Sequence, residues 1–436
     1  MWNSREIIMK KSVWLILILA VAIVPTFATT KTVGKSGADF TSIQAAIDSF
    51  TEAELTDGTA DVVEIVDSAE YDEQVVIGGL IADPEGSGQT EGYLDAAIAL
   101  AKQQDSFTLR GSDPTNRPKI NPITEGLPYG VFTGDPSDNF IATFSYMGMN
   151  FTVENVEILQ SSIIADDQYG INGQAGNAVF KNVLFGRSGD NQPGEALLNF
   201  NNDVSLAGQG IDNSYTFIDC TFDGAVSGER NEDADTFYFH GYTASDATSA
   251  GVNIDDVPVN VAFENCQFLN SSTATMIRGR DQANHVTVKN SYISGNQRGF
   301  RASGKGSFTV DSCIFYNNMQ IVGDADSDVG AIQTVERNGY TPELSITNSI
   351  FIKNLSDDFD SLQGLPGIDF RGAAIRIVNG GTDSDITVER CTFVDNPIAI
   401  RFADTSGRPR NAIVNNNIFQ NCNSSILTAD DATDSY

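Results

Sequence analysis

One short phrase recurs between Val153 and Phe419 and limits what this chain can fold into. It reads apolar, polar, Asn-like, small, any, apolar. Phe263-Glu-Asn265-Cys266-Gln-Phe268, Val288-Lys-Asn290-Ser291-Tyr-Ile293 and Val310-Asp-Ser312-Cys313-Ile-Phe315 stand in series. The same pattern occupies Val153–Ile158, Phe180–Phe185, Phe217–Phe222, Ile346–Phe351, Val388–Phe393 and Val414–Phe419. Self-similarity at a spacing of about 20–45 residues is the mark of a repeat architecture. Period-two alternation on either side of the central Asn predicts two short strands, each with one inward face. The Asn tolerates the left-handed backbone of a tight corner, and its amide is able to bond the Asn of the next layer. One layer cannot bury its apolar face alone, so layers stack about 4.8 Å apart. The fold class expected is all-β, a single-stranded parallel β-helix with triangular rungs.

These phrases resemble those of the pectin lyase-like superfamily of right-handed β-helices, over most of residues 107–428. The resemblance implies a right-handed coil and an outer strand face along which related enzymes lay a polysaccharide. Three pieces near the N-terminus are similar to pectin methylesterases and related β-helix enzymes: Val62–Val66, Glu70 to Ile77 and Phe107 to Gly111. The catalytic motifs of that family do not follow. Asp235-Thr-Phe237-Tyr238-Phe239-His240-Gly241 only loosely echoes one of them, and Gly407-Arg408-Pro409 lacks the Trp of another. The fold is therefore implied more firmly than any activity.

The chain divides as follows. Arg5, Lys10 and Lys11 precede an apolar run from Val13 to Val24, then Thr26-Phe27-Ala28. Residues 1–28 read as an export leader, with Met9 as an alternative start and an N-terminal anchor as the alternative fate. Residues 29–106 hold a cap and the first strands. In the cap, Thr41 or Ser42 starts a helix with Ile43, Ile47 and Phe50 on one side. A helical insertion is expected over 91–104, the β-helix over 107–428 and an acidic tail over 429–436. The destination is secretion, the cell surface or a periplasm, and the expected state is a monomer.

Charge narrows the partners. A formal charge of −32, from 58 acidic against 26 basic residues, opposes binding to nucleic acid or to an anionic membrane. No membrane contact is expected beyond the leader. Cys220, Cys266, Cys313 and Cys391 all follow the corner residue and should point inward in one column. They read as small buried hydrophobes, while export leaves a Cys220–Cys266 disulfide open.

Basic residues gather after the corner phrases. Met276-Ile277-Arg278, Gly299-Phe300-Arg301, Ala374-Ile375-Arg376 and Ala399-Ile400-Arg401 each put an Arg after an inward apolar residue, with Ile321-Val322 as a gap. The expectation is a column of four guanidiniums on one outer face. Tyr238 and His240 lie one layer earlier, and Arg280, Asp281 and Lys305 flank the edge. Such a column is either an Arg/Asp ladder or a cleft for an acidic polysaccharide. Uronate β-elimination in that cleft would use Arg278 and Arg301 to neutralise the carboxylate, His240 or Lys305 as base and Tyr238 as acid. Substrate contacts would fall to Arg280, Asp281, Arg376, Arg401 and Asp235; hydrolysis would instead use Asp235 and Asp281. The alternative is a non-catalytic, adhesin-like surface solenoid. Ca2+ is the one cofactor suggested, at Asp324-Ala-Asp326-Ser-Asp328, where alternate carboxylates can converge on a hard cation.

Overall fold

The computed structural model describes residues 28–73, 75–77, 106–121, 141–160, 168–187, 196–201, 213–224, 235–240, 244–249, 253–271, 273–296, 298–318, 330–354, 373–378, 384–402 and 411–427. The backbone coils through three walls of parallel strands. The first wall holds the strands that lead into the corner phrase, such as Val259–Glu264, Asn284–Lys289 and Gly306–Asp311. The second wall holds the three-residue strands that leave it, such as Gln267–Leu269, Tyr292–Ser294 and Ile314–Tyr316. The third wall follows, with Asp235–His240, Thr273–Arg278, Arg298–Ser303, Gly330–Val335, Ala373–Ile377 and Ile398–Phe402. The 14-residue strands Ile141–Glu154 and Gln168–Lys181 run through the third wall into the first, so those two walls share one sheet.

The first corner behaves as its sequence requires. Asn155, Asn182, Asp219, Asn265, Asn290, Ser312, Asn348, Arg390 and Asn416 all have φ between 50° and 58°. This left-handed conformation costs most L-residues about 1–2 kcal/mol, and Asn less. From Asn155 to Arg390 each of these turns sends its N–H to a carbonyl on the next rung, as Asn265 N does to Lys289 O at 3.1 Å.

The amide ladder itself stands one corner later than expected. Among the described first-corner residues, Asn182 Nδ2 donates to Asn155 Oδ1 at 2.9 Å, but the continuous ladder is at the second corner. There Asn296, Asn318, Asn354 and Asn396 are fully buried in consecutive rungs. Asn296 Nδ2 donates to Asn318 Oδ1 at 3.0 Å, Asn318 to Asn354 at 3.0 Å and Asn354 to Asn396 at 3.2 Å. The same amides donate to the carbonyls of Phe268, Ile293, Phe315 and Phe351. Each amide thus satisfies backbone groups that a buried bend would otherwise orphan.

Apolar columns fill the coil. Phe185, Phe222 and Phe268 stack at 4.9 and 4.5 Å, and Phe315, Phe351, Phe393 and Phe419 at 4.8, 4.9 and 5.2 Å. These separations match the inter-strand repeat, so the rung spacing itself imposes the face-to-face stacking. Cys220, Cys266, Cys313 and Cys391 are buried in the next column as free thiols rather than a disulfide. Burial pushes the Cys313 thiol up to about 12, which leaves it unreactive.

The N-terminal end is closed. Ser42 caps the helix Ile43–Asp48, whose Ile43 and Ala46 are buried, and Glu73 accepts from Ile43 N at 2.8 Å and Gln44 N at 3.0 Å. Rungs begin earlier than expected, because Thr30–Val33 already pairs with Asp61–Ile65 and the latter with Phe107–Gly111. The helical insertion expected over 91–104, nearly all of the export leader and the acidic tail lie outside the described residues. No helix among the described residues is long and apolar enough to cross a membrane.

Two predictions follow from this packing. Asn318→Leu removes the acceptor used by Asn296 and the donor to Ile293 O; it should cost about 3 kcal/mol in urea unfolding. Asn290→Ala, at the solvated corner, should cost about 1 kcal/mol. Equal costs would contradict the ladder's role. Asp61 is buried with Oδ1 unbonded among the described groups, and desolvation raises its carboxyl to about 6. A carboxyl raised on folding binds its proton more tightly when folded, so its penalty is present above about pH 6 and fades as pH falls toward 4. Asp61→Asn should therefore stabilise by about 2 kcal/mol at pH 7 and by much less at pH 4. A pH-independent difference would contradict this assignment.

Candidate functional site

The outer face of the third wall carries the basic residues, and strand register decides which of them meet. Arg301 pairs with Gln333, Gln333 with Arg376 and Arg376 with Arg401. In the other direction Arg301 pairs with Met276 and Met276 with Tyr238. One column therefore runs Tyr238, Met276, Arg301, Gln333, Arg376, Arg401. Arg278 is not in it. It pairs with His240 on one side and Ser303 on the other, which places it two residues further along the strand.

The misplacement has a simple source. Matching Ile277-Arg278 to Phe300-Arg301 preserves parity, but parity leaves register undefined. Register is set by the second corner: Thr275 stands opposite Phe300, four residues beyond the corner residues Ser271 and Asn296 respectively. The gap expected at Ile321-Val322 is filled instead by Gln333. Ala331-Ile332-Gln333 has the same form as Ala374-Ile375-Arg376, and that likeness was the available signal.

Burial divides the column. Arg376 is 2% exposed and Arg401 6%, whereas Arg301 is half-buried. Each of the three is engaged by other groups of the protein. The expectation of four solvent-facing guanidiniums in register is thus corrected twice, for the register of Arg278 and for the burial of Arg376 and Arg401. Buried cations with partners belong to the structural scaffold. Backbone register sets the remaining predicted residues on three rungs. Tyr238, Met276 and Arg301 form one line; His240, Arg278 and Ser303 form the next, about 7 Å away.

The flanking residues have structural engagements. Lys305 Nζ forms an ion pair with Asp255 and lies 5.9 Å from the centre of the Tyr340 ring. Asp281 Oδ2 accepts from Ala244 N at 2.8 Å, at the start of the helix Ala244–Ser249. Arg280 is half-buried in the same turn as Asp281 and is engaged by other groups. Asp235 starts its strand opposite Thr273, which in turn faces Arg298. The candidate calcium residues Asp324, Asp326 and Asp328 lie outside the described residues. Among the described residues no cluster of three or more His, Cys, Asp or Glu gathers to hold a metal ion.

The first wall gives the contrast that isolates this patch. Along one of its outer columns the signs alternate: Glu64, Arg110, Glu154, Lys181, and later Glu264, Lys289, Asp311. Arg110 closes on Glu64 at 2.8 Å. Opposite charges on adjacent rungs are a structural ladder. The third-wall lines Tyr238–Arg401 and His240–Ser303 contain no acidic residue.

The family model for a right-handed β-helix region matches residues 204–436, more than half of the chain. No curated protein matches the sequence. Among solved structures, tailspike protein 3 of bacteriophage CBA120 aligns at 11% identity with a TM-score of 0.39, over 89% of this chain and 57% of the tailspike. The surface protein and adhesin PfbA of Streptococcus pneumoniae aligns at 12% identity with a TM-score of 0.35, over 88% of this chain and 94% of PfbA. The chain thus spans little more than half the length of that tailspike. Parallel rungs around three walls and the match over residues 204–436 lead to one conclusion: the chain belongs to the right-handed β-helix family, within the pectin lyase-like superfamily that its corner phrases resemble.

Proposed function

We propose that this chain is an exported β-helix that binds an acidic polysaccharide across the outer face of its third wall. The observation that supports the reading is the grid of Tyr238, His240, Arg278 and Arg301 on adjacent rungs, in a chain where acidic residues outnumber basic ones by more than two to one. Guanidinium groups on neighbouring strands suit carboxylates spaced along a polymer, and a phenol and an imidazole beside them add hydrogen bonds to hydroxyls. The strongly acidic remainder of the molecule repels the same polymer and confines it to this patch.

Binding without bond cleavage is the form of this reading that fits best. Lys305 is paired with Asp255, and Asp281 caps a helix, so two of the groups expected in chemistry already have structural engagements. A lyase reading rests on the adjacent rungs of His240 and Arg278, which would bring a base beside the group that neutralises the uronate carboxylate. The two readings separate in one assay: incubation with polyuronates, with and without Ca2+, and detection of unsaturated products in the ultraviolet. The binding reading expects retention on the polymer and no such product.

Arg301→Ala should weaken retention on an immobilised polyuronate about tenfold, with an unchanged melting temperature. Arg376→Ala should instead lower stability by about 3 kcal/mol, because it empties a buried, engaged site. Retention indifferent to Arg301→Ala, or absent from the unaltered protein, would overturn the proposal.

A further inference from the structure

His285 and Ser307 meet on the outer face of the first wall, in a column that neither the charge ladder nor the third-wall patch uses. Val286, Phe308 and Leu344 are buried in the core, so the residues before them, His285, Ser307 and Glu343, point outward. The column runs Asn177, Ser214, Asn260, His285, Ser307, Glu343, one residue per rung. His285 Nδ1 lies 2.9 Å from Ser307 Oγ; His285 is exposed and Ser307 half-buried.

A hydroxyl is a weak nucleophile until a base takes its proton, and the two groups must stand about 2.6–3.2 Å apart for the transfer. Ser214 in the same column gives the contrast. Its Oγ donates to Asn177 Oδ1 at 2.6 Å, and an amide accepts that bond without being able to take the proton. On the other side of His285 stands Asn260, so amide, imidazole and hydroxyl follow one another over three rungs, about 10 Å in all. Orienting group, base and nucleophile in succession is the arrangement on which acyl-transfer sites of unrelated folds are built. At the corner end of the column, Lys305 comes two residues before Ser307, and its Nζ lies 5.9 Å from the ring centre of the exposed Tyr340.

We propose that Ser307 and His285 form a nucleophile–base pair that cleaves O-acyl esters, at a site separate from the third-wall patch and independent of it. With the ring proton on Nε2, Nδ1 takes the Ser307 proton as Oγ bonds to the ester carbonyl carbon. The carbon–oxygen bond to the alcohol breaks as the imidazolium returns that proton to the leaving oxygen. Water then attacks the acyl-serine along the same proton path, which releases the carboxylic acid and restores the hydroxyl. Asn260 is a positioning residue that holds the imidazole from the far side.

Reaction of the full chain with a fluorophosphonate, followed by peptide mass spectrometry, tests the proposal. The expected result is a phosphonyl adduct on Ser307 that forms far faster than any on Ser214. His285→Gln should slow that labelling about a hundredfold. Asn260→Ala should slow it about tenfold and Asn260→Asp should restore it, a rescue that a merely structural role would not show. The unaltered protein should also release p-nitrophenol from p-nitrophenyl acetate, and Ser307→Ala should lower that rate about a hundredfold. Circular dichroism checks that each variant folds. An unlabelled Ser307, labelling indifferent to His285→Gln, or ester cleavage indifferent to Ser307→Ala would overturn the proposal.

Discussion

The fold depends on how a buried bend is made tolerable. A three-walled coil must turn its backbone inward at every rung, and each turn exposes peptide groups that neighbouring strands cannot reach. At both corners a left-handed residue turns the chain and keeps its N–H in the ladder, Asn155 to Arg390 at the first and Asn270, Gly295, Asn317, Lys353 and Asp395 at the second. The second corner adds a column of buried side chains. Asn296, Asn318, Asn354 and Asn396 bond both one another and the adjoining carbonyls. Because each amide needs the next one directly above it, the ladder fixes the stagger of the rungs it spans, from Asn296 to Asn396, and with it the register of their outer columns.

Register then decides chemistry. Arg376 and Arg401 are set against each other within one column and are nearly closed off from water, while Arg301 keeps part of its surface. The third wall therefore holds two nearly buried guanidiniums, Arg376 and Arg401, and one half-buried one, Arg301, in a single column. The first wall, with alternating signs on successive rungs, spends its charges on holding strands together. The second wall gives up charge altogether over its later rungs. Three walls with one backbone thus present three different surfaces, each determined by which residue type recurs at a fixed distance from a corner.

Much of this was legible before the coordinates. The corner phrase located the left-handed residues of the first corner, from Asn155 to Asn416, because alternation around Asn is a local signal. Cap helix, inward cysteines and the strand Phe107–Gly111 were legible for the same reason. The second-corner ladder was missed, since a buried Asn and an exposed corner Asn look alike in a polar stretch. The sequence reading puts Arg278 in the wrong column, because alternation carries parity and only the distance from Ser271 carries register. Burial of Arg376 and Arg401 was not readable at all: it depends on what covers the wall, which no strand pattern encodes.

The most direct test of the ladder is hydrogen exchange at its side-chain amides, read by NMR on protein labelled with 15N at asparagine. The Nδ2 protons of Asn296, Asn318 and Asn354 should exchange far more slowly than those of the solvated corner residues Asn290 and Asn348. Equally fast exchange at both corners would contradict a buried amide column and the rung stagger that rests on it.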